Sequence, residues 1–307
     1  MPIPMPPRYR VRLPKDLVAD LARHTDSLPD WQLTDGLLSP DTAWRYRRTL
    51  TGLPHIPEFV ATCDRLLNDP WGEGFAVLDL AELLDTAPTE DAGLRAVTAL
   101  TSLIATPLRA FDRWPLWKPL GTNLDVDPMR ATGTGYNPMH LDIVNSTWPP
   151  DYSALLCVRP DPKGQGQSLV SQTRRAVDRL SYAEADLLSH PKYEDGSFYD
   201  LTGVGEEWKP FPIIDDLPPM EGFVRFTAKM LAGADPDDPY IKAARSLERE
   251  LVTGHRRFRL DRGDMLIVNQ HLSCHGRDPL GQGQADVPED ERRLLLQIFL
   301  RRQEATS

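Results

Sequence analysis

Met139-His140-Leu141-Asp142 sets a histidine and a carboxylate two residues apart. Side chains alternate faces along a strand with period two, so on a strand these two point the same way and could hold one ion. A second imidazole comes from a distant strand, at Ser273-Cys274-His275-Gly276-Arg277. Two nitrogens and one carboxylate oxygen on one face of a metal leave its other positions open. Alone, the His-x-Asp pair decides little, because a strand histidine is more often a hydrogen-bonded structural residue. His271, four residues before His275, is a rival for the distal place. The weight comes from what surrounds the pair.

Before residue 70 the apolar spacing is helical. Leu17, Val18 and Leu21 follow Pro14, Ser39-Pro40-Asp41 opens a capped helix, and a third helix runs from about Pro57 to Asn68. The pattern predicts a helical N-terminal layer over residues 1–70. Gly74 introduces a buried strand through Leu80, and Thr89 caps a helix from Glu90 to about Ala105. Strands are then expected at Met139 to Ile143, Ser153 to Arg159, Ser168 to Gln172, Phe223 to Phe226, Phe258 to Leu260, Met265 to Asn269 and Leu294 to Leu300. Helices over Arg174 to Leu187 and Pro239 to Val252 interrupt them. The segment 193–221, rich in Gly, Pro, Asp and aromatics, has no period and is too long for an ordinary connection, so it is a candidate substrate lid.

Composition narrows the partners. A net charge of −10 argues against nonspecific binding to nucleic acid or anionic membrane, which needs clustered Lys and Arg. No apolar run approaches the length that spans a bilayer. Met1-Pro2-Ile3-Pro4-Met5-Pro6-Pro7 lacks the basic-then-apolar order of a signal peptide, so the expected location is the cytoplasm. Cys63, Cys157 and Cys274 form neither a zinc spacing nor a disulfide framework and are expected reduced and buried.

The order of motifs points to a family. His-x-Asp is followed by Ser168 after the Gly-rich turn Gly164-Gln165-Gly166-Gln167, then Gly263-Asp264 before an apolar run, His275-Gly276-Arg277, and Arg292-Arg293-Leu294-Leu295. Over roughly residues 70–302 this resembles the taurine dioxygenase (TauD/TfdA-like) and clavaminate synthase-like Fe(II)/2-oxoglutarate oxygenases. Pro150-Asp151-Tyr152 with Leu155-Leu156-Cys157 resembles the clavaminate synthase branch, several of whose amino-acid hydroxylases carry Glu where this chain has Asp142.

The resemblance implies that His140, Asp142 and His275 are the iron ligands, the facial triad of two histidines and a carboxylate. It makes Arg293 the partner of the distal carboxylate of 2-oxoglutarate, a role suited to a planar, permanently charged fork. Arg292 is the alternative, because the loop from Asp278 to Glu291 is longer than the family pattern; strand alternation sets the two arginines on opposite sides. Ser168 matches a residue that hydrogen-bonds the same carboxylate. Ile143 would edge the substrate pocket, with Tyr136 and Asn137 as candidate polar substrate contacts. Gln297 stands where many relatives have a second arginine, so a contact to co-substrate or to an acidic substrate group is missing or supplied from elsewhere. Gln297 is kept as a candidate substrate residue. Arg277 either covers the site or closes a surface ion pair, Cys274 packs behind its strand, and Trp148, Trp208, Phe211 and Arg225 are weaker candidates near the entrance and lid.

The expected fold is mostly β with flanking α: a double-stranded β-helix, or jelly-roll, over residues 71–302, in a single oxygenase domain spanning 1–307. The expected activity is hydroxylation of a C–H bond in a small polar metabolite, an amino-acid derivative or natural-product intermediate, with Fe(II), 2-oxoglutarate and O2. An aspartate ligand favours hydroxylation over halogenation. Desaturation or cyclisation by the same chemistry, a zinc-dependent hydrolase on the same triad, and a non-catalytic jelly-roll binding protein are the alternatives. Oligomeric state stays open.

Overall fold

Apolar residues on successive strands alternate between two buried destinations. Phe75, Val77, Leu266, Val268 and Leu295 enter one cluster, while Ala76, Leu78, Met265, Ile267, Ile298 and Leu300 enter another. A sheet apolar on both faces has to be covered on both. In the computed structural model, which describes residues 6–195, 210–216 and 222–302, helices cover one face and a second sheet covers the other.

Three helices, α1 (Lys15–His24), α2 (Pro40–Leu50) and α3 (Ile56–Asn68), and the short strands β1 (Arg10–Arg12), β2 (Leu33–Thr34) and β3 (Leu37–Leu38) come first. They lead into β4 (Phe75–Asp79), α4 (Ala81–Thr86), α5 (Glu90–Ser102), β5 (Thr106–Leu108), β6 (Lys118–Gly121) and β7 (Asn137–His140). Next are β8 (Tyr152–Arg159), β9 (Ser168–Gln172), α6 (Thr173–Val177), α7 (Tyr182–Leu188), β10 (Ile214–Asp215), β11 (Phe223–Val224) and α8 (Pro239–Gly254). The last strands are β12 (Arg256–Phe258), β13 (Asp264–Asn269), β14 (Ser273–Arg277) and β15 (Leu294–Arg301).

The major sheet has nine strands in the order β1-β4-β13-β8-β15-β5-β3-β2, with β6 also on β15. The minor sheet runs β12-β9-β14-β7. Val170 and Phe258 of the minor sheet meet Phe75, Cys157 and Leu266 of the major one, which gives the jelly-roll its inner layer; the sheets face each other without closing. Behind the minor sheet, Met139, Leu169 and Cys274 pack on Ala243, Leu247 and Leu251 of α8. No helix among the described residues is long and apolar enough to cross a membrane.

Several expectations need correction. The N-terminal layer is not purely helical: β1 pairs in parallel with β4, and β3 pairs with β5, so the first residues extend the major sheet. The helix expected over Arg174 to Leu187 is two helices, because Ser181 and Glu184 close a reciprocal capping box that starts α7. The strand expected at Phe258 to Leu260 lies at Arg256–Phe258, and that at Phe223 to Phe226 covers only Phe223–Val224. Most importantly, the strand expected to carry Met139 through Ile143 ends at His140. Much of the candidate lid, residues 196–209 and 217–221 with Trp208, lies outside the described residues.

One turn ties the ends of β4 and β8 to the start of β13. Gly263 sits at φ +84°, its N–H donates to the Cys157 carbonyl at 2.8 Å, and its carbonyl accepts from Leu80 N–H at 3.0 Å. A Cβ there would lie 2.4 Å from Ala81 Cα. Gly263→Ala should therefore lower the unfolding free energy by at least about 1–3 kcal/mol, read as a fall in the urea midpoint at constant slope; an unchanged midpoint would show that the turn adapts.

Candidate metal centre

His140 ends β7, and His275 lies directly across from it on β14. Gly276 permits this close pairing, since a Cβ there would sit 2.8 Å from the Asn137 carbonyl oxygen. The two imidazole centroids are 4.5 Å apart. Asp142 reaches the same place by a different route from the one its spacing suggests. Past His140 the chain leaves the strand and turns, with Ile143 at φ +57°, and the turn returns the carboxylate to the imidazoles. Asp142 Oδ1 lies 3.8 Å from His140 Nε2, and Oδ2 lies 3.3 Å from His275 Nε2. One donor atom from each residue falls within 4.8 Å of the others, a group that could hold a divalent ion.

A β-branched residue in the left-handed region costs about 1–3 kcal/mol and persists only where its surroundings over-determine it. Here they do. Leu141 N–H donates to the Phe226 carbonyl at 2.9 Å, and Asp142 N–H to Gln270 Oε1 at 2.5 Å. Arg225, paired with Asp215 at 3.0 Å, donates to the Val144 and Ser146 carbonyls at 3.2 and 2.7 Å. Arg225 thus clamps the turn rather than acting at the entrance.

Burial alone would raise the Asp142 pKa. The adjacent His275, then His140 and the Ser153 hydroxyl, outweigh it and hold the carboxyl well below the usual range. Burial, reinforced by Lys229 and His275, pushes His140 down to about 3, so its imidazole is neutral near pH 7. Its Nδ1 lies 2.7 Å from the Pro138 carbonyl. A neutral ring donating there turns its Nε2 lone pair toward the cluster, the orientation a metal ligand needs. Nδ1 of His275 is buried without a partner among the described residues. His271 is elsewhere: its Nε2 meets Asp151 Oδ1 at 2.6 Å and its ring packs 4.9 Å from Phe223.

The major sheet supplies what fixes the carboxylate. Ser153 Oγ on β8 donates to Asp142 Oδ2 at 2.6 Å, and Gln297 Nε2 on β15 donates to the same oxygen at 3.1 Å. Gln297, expected as a substrate contact, is bonded to the candidate metal ligand and lines both cavities that open from the cluster. Neither Ser153 nor Gln270 was singled out from sequence; inward parity on β8, shared with Leu155 and Cys157, is the signal for Ser153.

Two cavities open from the cluster. The narrower is lined by Asn137, Ser168, His275, Arg277 and Arg293. Arg293 is buried, and its guanidinium has no hydrogen-bond or ion-pair partner among the described residues. Burial lowers its pKa to about 10, which leaves it charged near pH 7. Arg292 points away and donates to the Val287 carbonyl at 3.0 Å. Arg277 also lines this cavity while donating to the Gly133 and Gly135 carbonyls at 2.8 and 2.9 Å, so it ties a loop down and closes no surface pair. Cys274 packs behind the strand, burial pushing its thiol up to about 12.

The wider cavity, about 390 Å³, is lined by Ile143, Trp114, Lys118, Lys229, Phe299 and others, a size within the range of about 300–1,000 Å³ common for ligand sites. Asn137 falls in the narrow cavity and not in this one. Tyr136 and Trp148 line neither: Tyr136 packs half-buried behind the minor sheet, and Trp148 is exposed. Phe211 is buried in that same outer cluster.

The family described as taurine catabolism dioxygenase TauD, TfdA family matches residues 116–298. A search of curated proteins finds no match. Among solved structures, an asparagine oxygenase in complex with Fe(II), 2S,3S-3-hydroxyasparagine and succinate is 19% identical with a TM-score of 0.74, covering 95% of this chain and 93% of its own. The non-heme iron oxygenase OrfP with Fe, succinate and (3S)-hydroxy-L-Arg is 17% identical, TM-score 0.70, covering 96% and 94%. OrfP with Fe and alpha-ketoglutaric acid gives 16%, 0.69, 96% and 94%.

His275→Ala is expected to abolish binding of one equivalent of Mn(II) or Co(II) in anaerobic calorimetry. His271→Ala should cost about 1–3 kcal/mol of stability through the unpaired Asp151 oxygen and leave that binding in place. Equal loss in both variants would remove the distinction between the two histidines.

Proposed function

The chain belongs to the taurine catabolism dioxygenase TauD, TfdA family and is a 2-oxoglutarate-dependent non-haem iron dioxygenase; we propose that it hydroxylates a C–H bond of a small polar metabolite, an amino acid or close derivative. In this reading His140, Asp142 and His275 hold Fe(II), and O2 is the oxidant. The observation that carries it is Arg293, a buried and unpartnered guanidinium lining the same cavity as the two imidazoles. An unpaired buried charge costs several kcal/mol unless a ligand neutralises it. A dicarboxylate held between the His140, Asp142 and His275 cluster and Arg293 would do so.

When bound, Fe(II) with 2-oxoglutarate supplies oxidation of an unactivated C–H bond by O2, with succinate and CO2 as co-products. The chain's own residues do the positioning. Arg293 would hold the distal carboxylate and Ser168 would add a hydroxyl donor. Ser153 and Gln297 hold Asp142 in one orientation, and the Pro138 carbonyl fixes the His140 tautomer. Ile143, Trp114 and Phe299 wall the wider cavity, which would seat the substrate beside the ligands His140 and Asp142. Asp142 supplies the carboxylate ligand whose loss would make room for halide, which supports hydroxylation over halogenation.

Structural neighbours holding hydroxylated asparagine and arginine support the amino-acid reading. A zinc hydrolase or a non-catalytic jelly-roll would leave Arg293 and Ser168 without a task. The pairing of β1 with β4 and the contribution of β15 to the site support one oxygenase domain over the whole chain. Three free buried cysteines and the acidic balance support a cytoplasmic enzyme of small molecules, with neither nucleic acid nor membrane as partner.

The test is succinate formation by anaerobically iron-loaded protein given 2-oxoglutarate, O2 and a panel of amino acids. At least one should stimulate succinate, and Asp142→Ala should abolish it. Arg293→Ala should raise the half-saturating 2-oxoglutarate concentration by about 10–100-fold, the loss of charged hydrogen bonds worth about 1.5–3 kcal/mol, with metal binding retained; an unchanged value would move the carboxylate site elsewhere. Ser153→Ala combined with Gln297→Leu should weaken Fe(II) binding by about 10–100-fold, measured by competition with a chelator.

A further inference from the structure

The wider cavity carries two ammonium groups with no side-chain counter-ion in contact. Lys118 enters from β6, directly across from Gln297 on β15. Lys229 comes from the 3-10 turn Ala228–Leu231, next after Thr227 and Ala228, and Thr227 bridges to His140. Neither ammonium has a hydrogen bond or an ion pair among the described residues; Lys118 Nζ only lies 3.4 Å from the centroid of the Trp114 ring. Burial lowers the pKa of both, and Lys118 is repelled further by Arg113 and Lys229. The acid both respond to is Asp142, which is already engaged by two imidazoles, Ser153 and Gln297.

Among the described residues the lining holds three cations, Lys118, Lys229 and Arg130, against Asp127, Asp195 and Asp142, and the dioxygenase reading commits Asp142 to the metal, which leaves one cation in surplus. An amino acid with a neutral side chain brings no net charge to this surplus, and one with a cationic side chain enlarges it. Only an added acid on the ligand offsets it. We propose that the substrate is an acidic amino acid, or a derivative that keeps the acidic group, and that Lys118 and Lys229 clamp that group together. This rests on the wider cavity being the substrate site of the dioxygenase reading above.

The experiment separates the two claims. Formation of the visible charge-transfer band on adding 2-oxoglutarate to the Fe(II) protein under argon tests the dioxygenase reading, and its absence sinks that reading and the clamp with it, whereas a band without the acid preference sinks the clamp alone. Calorimetric titration of the loaded protein with the matched pairs L-aspartate against L-asparagine and L-glutamate against L-glutamine tests the clamp. One acid should bind roughly tenfold or more tighter than its amide. Lys118→Met and Lys229→Met should each bring the acid down to the amide's level, the retained band showing that their metal centre is intact. Equal binding within both pairs, binding of neither acid, or variants that keep the preference would overturn the proposal.

Discussion

A carboxylate taken out of water costs several kcal/mol, and the Asp142 group recovers that cost from both sheets at once. The minor sheet presents His140 and His275, and the major sheet presents Ser153 and Gln297. Because each of these groups sits on a different strand, the cluster forms only when β7, β14, β8 and β15 are all in register. Jelly-roll packing and site geometry are therefore one constraint. The strained turn at Ile143 belongs to it too, since Gln270 and Arg225 hold the backbone that aims the carboxylate.

Strand β15 and the residue before it show how one period-two pattern serves two cavities. Arg293, Leu295, Gln297 and Phe299 face inward, while Leu296, Ile298 and Leu300 pack toward the N-terminal helices. Rising about 3.4 Å per residue, the inward row runs from the charge in the narrow cavity, past the amide on Asp142, to the aromatic wall of the wide one. The two cavities meet at Leu120, Ala131, Gln297 and the candidate ligands His140 and Asp142, and otherwise have separate linings.

Much of this was legible because it follows from periodicity and capping. The helix starts at Ser39 and Thr89 rest on side-chain caps that the structure contains, and the buried strands β4, β13 and β15 on short apolar runs; the choice of Arg293 over Arg292 rests on the spacing of the family pattern, with alternation setting the two on opposite sides. What escaped was set by tertiary contacts. Lys118-Pro119-Leu120-Gly121 carries Pro and Gly that hide a strand, yet it pairs with the long β15, which supplies the order. Nothing about isoleucine announces a left-handed turn, so placing Asp142 on a strand led to the right grouping by the wrong geometry. The break before α7 was readable in Ser181 and Glu184, but the apolar spacing of Val177 and Leu180 masked it.

The glutamine at 297 gains meaning from its neighbour across the strands. The family resemblance leads one to expect a second arginine there, and a guanidinium at that point would compete with the imidazoles for Asp142. A neutral amide instead donates one hydrogen bond to the carboxylate and leaves its charge for the metal. The cation is displaced by one strand, to Lys118, whose side chain shares the inward face because directly paired residues of antiparallel strands point the same way. An ammonium on a flexible stem is a compact point charge that can follow ligands of different length, where a planar fork would impose one geometry. In the proposed reading the cationic charge is divided between a fixed group for the co-substrate, Arg293, and adaptable ones for the substrate, Lys118 and Lys229, so that two anions would be sorted by the shape of their cationic partners as well as by distance from the metal.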